Sequence, residues 1–169
     1  MRLLPGDARQ VSPERVVVQY QRANPADPPR DNPVAAGSIR CEHPGMEARV
    51  LVVDDHASFR SIARRVLVAD GFTVVGEAAD GAEAIRTSGD LCPDLVLLDV
   101  QLPDIDGFAV AAALALQIDP PAIVLVSSRS RVDYGSRIED CGARGFIAKS
   151  ELSGLAVRRL LRGPERTPQ

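Results

Sequence analysis

A chain of 169 residues, 45% of them hydrophobic, has enough aliphatic side chains for the core of one domain, although it holds no Trp, four Phe and two Tyr. Its formal net charge of −3 gives no overall drive toward nucleic acid, and the charge is uneven: residues 1–45 carry 6 basic and 5 acidic groups, 46–128 carry 5 and 13, and 129–169 carry 9 and 5. No apolar run approaches the roughly 18 residues of a membrane span, and the amino terminus lacks the roughly 7 to 15 apolar residues of a secretory signal. Cys41, Cys92 and Cys141 are an odd number without paired metal-type spacing, so they read as reduced thiols, one in the leading segment and two in or near the core, and the expected location is the cytoplasm, with no membrane contact.

Residues 1–45 hold 7 of the 13 prolines and sustain no period of 2 or 3.6, which predicts a disordered Pro-rich extension. Met46, after Pro44 and Gly45, reads as the biological start, with a genuine flexible tail as the alternative. The folded domain is expected over 47–162 and a flexible tail over 163–169.

From Glu47 onward strand and helix alternate. Arg49 to Val53 predicts the first strand. Ala57 to Asp70 predicts a helix with an apolar stripe of Phe59, Ile62, Ala63, Val66 and Leu67, ended by Gly71. Thr73 to Gly76 predicts a short second strand, and Asp80 with Gly81 turns the chain into a short helix with Ala84 and Ile85 inward. Pro93 resets the chain for the third strand, which runs into Asp99. A third helix after Gly107 carries Phe108, Val110, Ala111, Leu114 and Leu116 and stops at Pro120. Ile123 to Val126 predicts the fourth strand, ending at Ser127 and Ser128. The helix predicted near Ser130 to Cys141 is weak, because Gly135 and Ser136 sit inside it and only Val132, Tyr134, Ile138 and Cys141 could form an apolar face. Gly145 to Ala148 predicts the fifth strand, and Leu152 to Leu161 the last helix. Five βα units with right-handed crossovers predict an α/β, doubly wound, five-stranded parallel sheet of flavodoxin-like order 2-1-3-4-5, with its switch point between strands one and three.

Chemistry is expected at that point, because ligand sites in such sheets lie just beyond the carboxyl ends of the strands. Asp99 could cap the following turn, a common use of Asp. The run RVLVVDD, however, delivers Asp54 and Asp55 to a neighbouring strand end. Three carboxylates in one pocket repel one another unless a cation neutralises them, and an all-oxygen set with room for water favours Mg²⁺. Lys149, at the end of the fifth strand, is the single lysine among 20 basic residues. Its compact ammonium can pair with Asp99 or with an anion attached to it, while a strand-end lysine adds little to a core. A marginal helix beside such a site is a candidate moving part.

The segments VDD, LLDVQLPDIDGF, VSS and GARGFIAKS, in this order and spacing over about residues 48–162, strongly resemble the receiver domain of two-component response regulators. Ser150, where many receivers have proline, looks most like receivers of the LuxR-type class. The resemblance implies that Asp99 accepts a phosphoryl group from a histidine kinase. It implies that Asp55 binds Mg²⁺ directly, that Asp54 does so mainly through water, and that the backbone carbonyl of Gln101 completes the protein ligands. Lys149 would pair with the phosphoryl oxygens, Ser127 would hydrogen-bond to one of them, and Phe146 would be the aromatic that turns inward on activation. Gln101, Ser128 and Arg129 adjoin the pocket where receivers vary their rate of phosphate loss.

The expected protein is therefore a switch that acquires its own phosphate and loses it slowly, rather than a turnover enzyme. A chain ending at Gln169 leads to the expectation of no helix-turn-helix domain and no direct DNA binding. Output would pass to a downstream protein or a second receiver through the face of residues 130–162. Two rivals differ in class. A degenerate receiver would keep the fold as a constitutive binding module. DIDG at 104–107 also resembles the DxDG signature of haloacid-dehalogenase-type phosphohydrolases, but there the first Asp ends a strand, whereas Pro103 precedes Asp104 here.

Overall fold

The computed structural model of the chain describes residues 48–162. The expectations for the leading extension, for Met46 and for the tail at 163–169 lie outside the described residues. Five parallel strands form one sheet in the order β2-β1-β3-β4-β5, as the βα alternation predicts. The strands are β1 (Arg49–Val53), β2 (Thr73–Ala78), β3 (Leu95–Asp99), β4 (Ala122–Ser127) and β5 (Gly145–Ala148). The helices are α1 (Ala57–Ala69), α2 (Gly81–Leu91), α3 (Gly107–Ala115), α4 (Arg137–Asp140) and α5 (Gly154–Arg162).

Side chains alternate across a strand with period 2, so the continuous apolar runs of β1, β3 and β4 supply two cores. Leu51, Val53, Val96, Leu98, Ile123 and Leu125 face α2, α3 and α4, where they meet Ala84, Phe108, Val110, Leu114 and Ile138. Val50, Val52, Leu95, Leu97, Val124 and Val126 face α1 and α5, where they meet Ala63, Leu67 and Val157. Each fully buried Leu or Val contributes about 1.5–3 kcal/mol, so the central strands are anchored from both sides.

The helices on the second face are joined end to end. The Asp70 carboxylate, after the last turn of α1, accepts the Gly154 N–H at 2.6 Å, and the Arg158 guanidinium donates to the Asp70 carbonyl at 2.6 Å. A Cβ on Gly154 would lie 2.2 Å from Asp70 Cβ, so only glycine permits this approach.

Several elements differ from expectation. β2 runs on to Ala78, beyond Gly76, because its pairing with β1 shifts register between Val50 and Leu51 and resumes at Gly76. Ile62 of α1 is 48% exposed and Leu116, just past α3, is 70% exposed, so the buried stripes are narrower than the apolar patterns. Cys92 is exposed, at the left-handed end of α2, and only Cys141 of the described cysteines is buried. The last helix starts at Gly154 after a 3₁₀ turn over Lys149–Glu151. The weak helix at 130–141 is two pieces: a 3₁₀ turn (Arg131–Asp133) and the four-residue α4. Between them Gly135 takes φ +56°, which ends right-handed helix, and Ser130 satisfies the first turn locally by accepting the Val132 N–H and donating its own N–H to Asp133.

Candidate functional site

β1 and β3 are neighbours, with Val53 opposite Leu98, so the residues that follow them emerge side by side. Asp99 ends β3 and Asp54 follows β1, and both carboxylates are buried. Such burial is costly without a partner. β5 delivers it: Lys149 Nζ lies 2.8 Å from Asp99 Oδ2 and 2.6 Å from Asp54 Oδ2. Asp54 Oδ2 makes no other polar contact and is held by this ion pair alone, while Asp54 Oδ1 accepts the His56 N–H at 2.9 Å. Asp99 Oδ1 accepts the Gln101 N–H at 3.3 Å, which sets the Gln101 peptide beside the carboxylate.

The electrostatics are those of a strained triad. Burial pushes the Asp99 carboxyl above its ordinary range, helped by the neighbouring Asp54 charge and opposed by Lys149. Burial alone would lower Lys149, but contact with Asp54 and Asp99 holds its ammonium above the ordinary lysine value. The ammonium also lies 4.7 Å from the centroid of the Phe59 ring, a cation–π contact that fixes its fourth side. A lysine only 14% exposed between two buried carboxylates is their counter-charge, so its removal is expected to cost more than the strand-end position suggests.

Asp55 stands at the solvent rim, its Oδ1 in contact with His56 Nδ1. Asp54, Asp55 and His56 offer ligand atoms within 4.8 Å of one another, with Asp99 joined to this group through Lys149 and Asp54. Asp54, Asp55 and Asp99 against one Lys149 leave two negative charges. Hard oxygen donors with that residual charge fit a divalent cation such as Mg²⁺.

The other wall is made of β4, β5 and the 131–140 segment. Ser127 ends β4, fully buried; its Oγ is 2.7 Å from the Tyr134 hydroxyl and accepts the Arg129 N–H at 3.1 Å. The Tyr134 ring packs edge-on to Phe108 at 5.6 Å between centroids and meets Phe146 at 5.8 Å. Phe146 is half-buried on β5.

The loop from β3 to α3 is pinned. Gly107 donates to the Val100 carbonyl at 3.0 Å, and a Cβ there would lie 2.3 Å from the Asp99 carbonyl oxygen. Asp104 Oδ1 and Oδ2 accept the N–H groups of Gly81 and Ala82 at 2.8 and 2.9 Å, capping α2 from another loop. Burial raises the Asp104 carboxyl, but these hydrogen bonds outweigh it and hold the group below its ordinary value.

The sequence model of the response regulator receiver domain family matches residues 50–158. The chain belongs to that family. PdtaR, a transcriptional regulatory protein of Mycobacterium tuberculosis, is 37% identical over 101 residues, 60% of this chain and 49% of that protein. Protein-glutamate methylesterase/protein-glutamine glutaminase 6 of Anaeromyxobacter dehalogenans is 42% identical over 109 residues, 64% of this chain and 31% of that protein. Among solved structures, the signal receiver domain of NarL from Mycobacterium tuberculosis is 33% identical with a TM-score of 0.62, covering 69% of this chain and 98% of that one. A LuxR-family response regulator from Aurantimonas sp. SI85-9A1 is 28% identical with the same TM-score of 0.62, covering 69% and 84%. The chain spans about half or less of the length of these two curated relatives.

In this receiver Asp54, Asp99 and Lys149 meet directly, Asp55 and the Gln101 peptide flank them, and Ser127 and Phe146 stand on the adjoining wall. The DIDG segment delivers no carboxylate to a strand end, since Asp104 lies past the end of β3 and is occupied by α2. Three residues went unrecognised as parts of the site. His56 adjoins the VDD triplet, and its proximity was legible there. Phe59 and Tyr134 read as plain apolar-face positions, and nothing in their spacing marks which polar atoms they meet. No helix among the described residues is long and apolar enough to cross a membrane.

Proposed function

We propose that this receiver accepts a phosphoryl group on Asp99 from the phosphohistidine of a histidine kinase and thereby switches a protein-interaction surface. The observation that carries this reading is the Lys149 ammonium held between two buried carboxylates at adjoining strand ends. In the transfer an Asp99 carboxylate oxygen forms a bond to phosphorus as the P–N bond to the donor imidazole breaks. The imidazole keeps the bonding electron pair and leaves neutral, because its second nitrogen carries a proton. Such a step needs positioning and neutralisation of oxygen charge more than covalent help from the protein.

Lys149 supplies one positive charge to the phosphoryl oxygens, Ser127 donates a hydrogen bond to one of them, and Phe146 turns inward as the switch advances. Asp55, Asp54 mainly through water and the Gln101 carbonyl would hold a Mg²⁺, which would supply the remaining neutralisation of those oxygens. Asp104 and Gly107 keep the β3–α3 loop from moving while this happens. Output leaves through the face of residues 130–162 toward a downstream protein or a second receiver. There Val132 is 84% and Leu155 59% exposed beside the exposed Arg158 and Arg159.

Incubation with Mg²⁺ and a small acyl-phosphate donor should add one phosphoryl group by intact mass, in a hydroxylamine-sensitive linkage, and Asp99→Asn should add none. Equal labelling of the variant would show that Asp99 is not the acceptor. An unlabelled parent protein, with either donor type, would favour a constitutive binding module.

A further inference from the structure

We infer that Tyr134 is a positioning residue for Ser127, a latch that holds its hydroxyl away from Asp99 until a phosphoryl group draws it back. The inference rests on the phosphoacceptor reading above. Ser127 is fully buried and its Oγ is already engaged, with the Arg129 N–H on one side and the Tyr134 hydroxyl on the other. A serine hydroxyl has one proton, so while that proton is given to the Tyr134 hydroxyl it is withheld from a phosphoryl oxygen on the neighbouring strand, and turning it toward that oxygen takes it from Tyr134. The Tyr134 hydroxyl, in a residue only 9% exposed, would then be buried without a partner. Such a group is driven either to water or to a new partner.

Tyr134 can move. It sits between the 3₁₀ turn and Gly135, whose left-handed backbone has no heavy atom within 4 Å of where a side chain would go, and α4 beyond it is a single turn. Little regular structure has to break for the ring to withdraw. Its departure also has a consequence for Phe146. The Tyr134 ring contacts both Phe108 and Phe146 while its hydroxyl lies on Ser127, so in this latch Phe146 turns further inward as Tyr134 leaves. The switch therefore passes from Ser127 through Tyr134 to Phe146, rather than directly from hydroxyl to β5 aromatic. Displacement of Tyr134 carries Val132 and the rest of the 131–140 segment with it, which links the pocket to the exposed face.

Two measurements test the latch. In full-length protein carrying Tyr20→Phe, Tyr134 is the sole tyrosine, so ring-labelled tyrosine gives one set of NMR signals for it. Saturation with Mg²⁺ and beryllofluoride, followed by ¹⁹F signals of the bound mimic, should shift those signals, and Ser127→Ala should bind the mimic yet show less than half the shift. A bound mimic that leaves Tyr134 unshifted overturns the latch alone; no bound mimic overturns the phosphoacceptor reading and the latch with it. Second, Tyr134→Phe keeps the ring but frees Ser127, and should label with an acyl-phosphate donor roughly threefold to tenfold faster, the scale of one hydrogen bond. In a Ser127→Ala background the same change should have no effect, because the coupling is between these two groups. Equal acceleration in both backgrounds, or a lower melting temperature with an unchanged rate, would make Tyr134 a packing residue and overturn the proposal.

Discussion

On the β1 and β3 side of the pocket, Asp54 and Asp99 leave strands buried along almost their whole length, and the chain that follows is tied at many points. Arg60 donates to the Asp54 carbonyl at 2.6 Å and to Glu77 at 3.1 Å, Val100 donates to the Val126 carbonyl, and Asp104 holds α2. On the β4 and β5 side, Ser127 is followed by a short 3₁₀ turn and a four-residue helix, whose exposed faces carry Val132 and Glu139, and Lys149 opens another 3₁₀ turn. The first side has to keep like charges at fixed positions, which demands rigid backbone. Under the proposed phosphorylation of Asp99 the second would report a change in charge, which demands that little structure be lost when it moves. A single ammonium on a flexible stem joins the two.

The sharpest way to break this comparison is to remove that joint. Lys149→Ala leaves Asp54 and Asp99 buried without a counter-charge and should cost about 3 kcal/mol in urea unfolding at neutral pH without divalent cation. Added Mg²⁺ should recover part of that loss. The sign with pH follows from a folded-state value raised above the ordinary 10.5: the lysine's contribution is complete below 10.5 and fades as pH rises through the folded value, so parent and variant should converge in alkali. Equal stability at pH 7 would mean that the carboxylates are relieved in some other way.

Glycines sharpen the contrast. Gly107→Ala, on the rigid side, forces a Cβ to 2.3 Å from the Asp99 carbonyl oxygen and should cost about 2–3 kcal/mol while displacing Asp99. Gly135→Ala has free space around it but φ +56°, and should cost only about 1 kcal/mol, with slower conformational response and unimpaired Mg²⁺ binding. Similar penalties for the two, measured by chemical unfolding, would remove the distinction between the walls. The smallest effect concerns Asp104, whose carboxyl is held below 3.8 in the fold. A depressed value contributes stability above pH 3.8 that is lost as pH falls through the folded value, so Asp104→Asn should flatten the acid limb of the stability profile without changing its alkaline limb.

Much of this was legible in the chain itself. The apolar runs ending in Asp54 and Asp99, the glycines and prolines between them, and the five alternations determined the doubly wound sheet and its order, because period and chain connectivity leave few alternatives once both faces of a strand are apolar. The same runs located Asp54, Asp55, Asp99, Ser127 and Lys149 at strand ends. Tertiary structure alone decided which of these touch. Lys149 pairs with Asp54 as well as with Asp99 because β1 and β3 are adjacent and their carboxylates share one buried space, a condition set by three-dimensional proximity between residues far apart in the chain. It also decided that Tyr134, an apolar-face position by pattern, places its hydroxyl on Ser127, since a hydrogen bond is fixed by distance and direction, and neither is written into hydrophobic spacing.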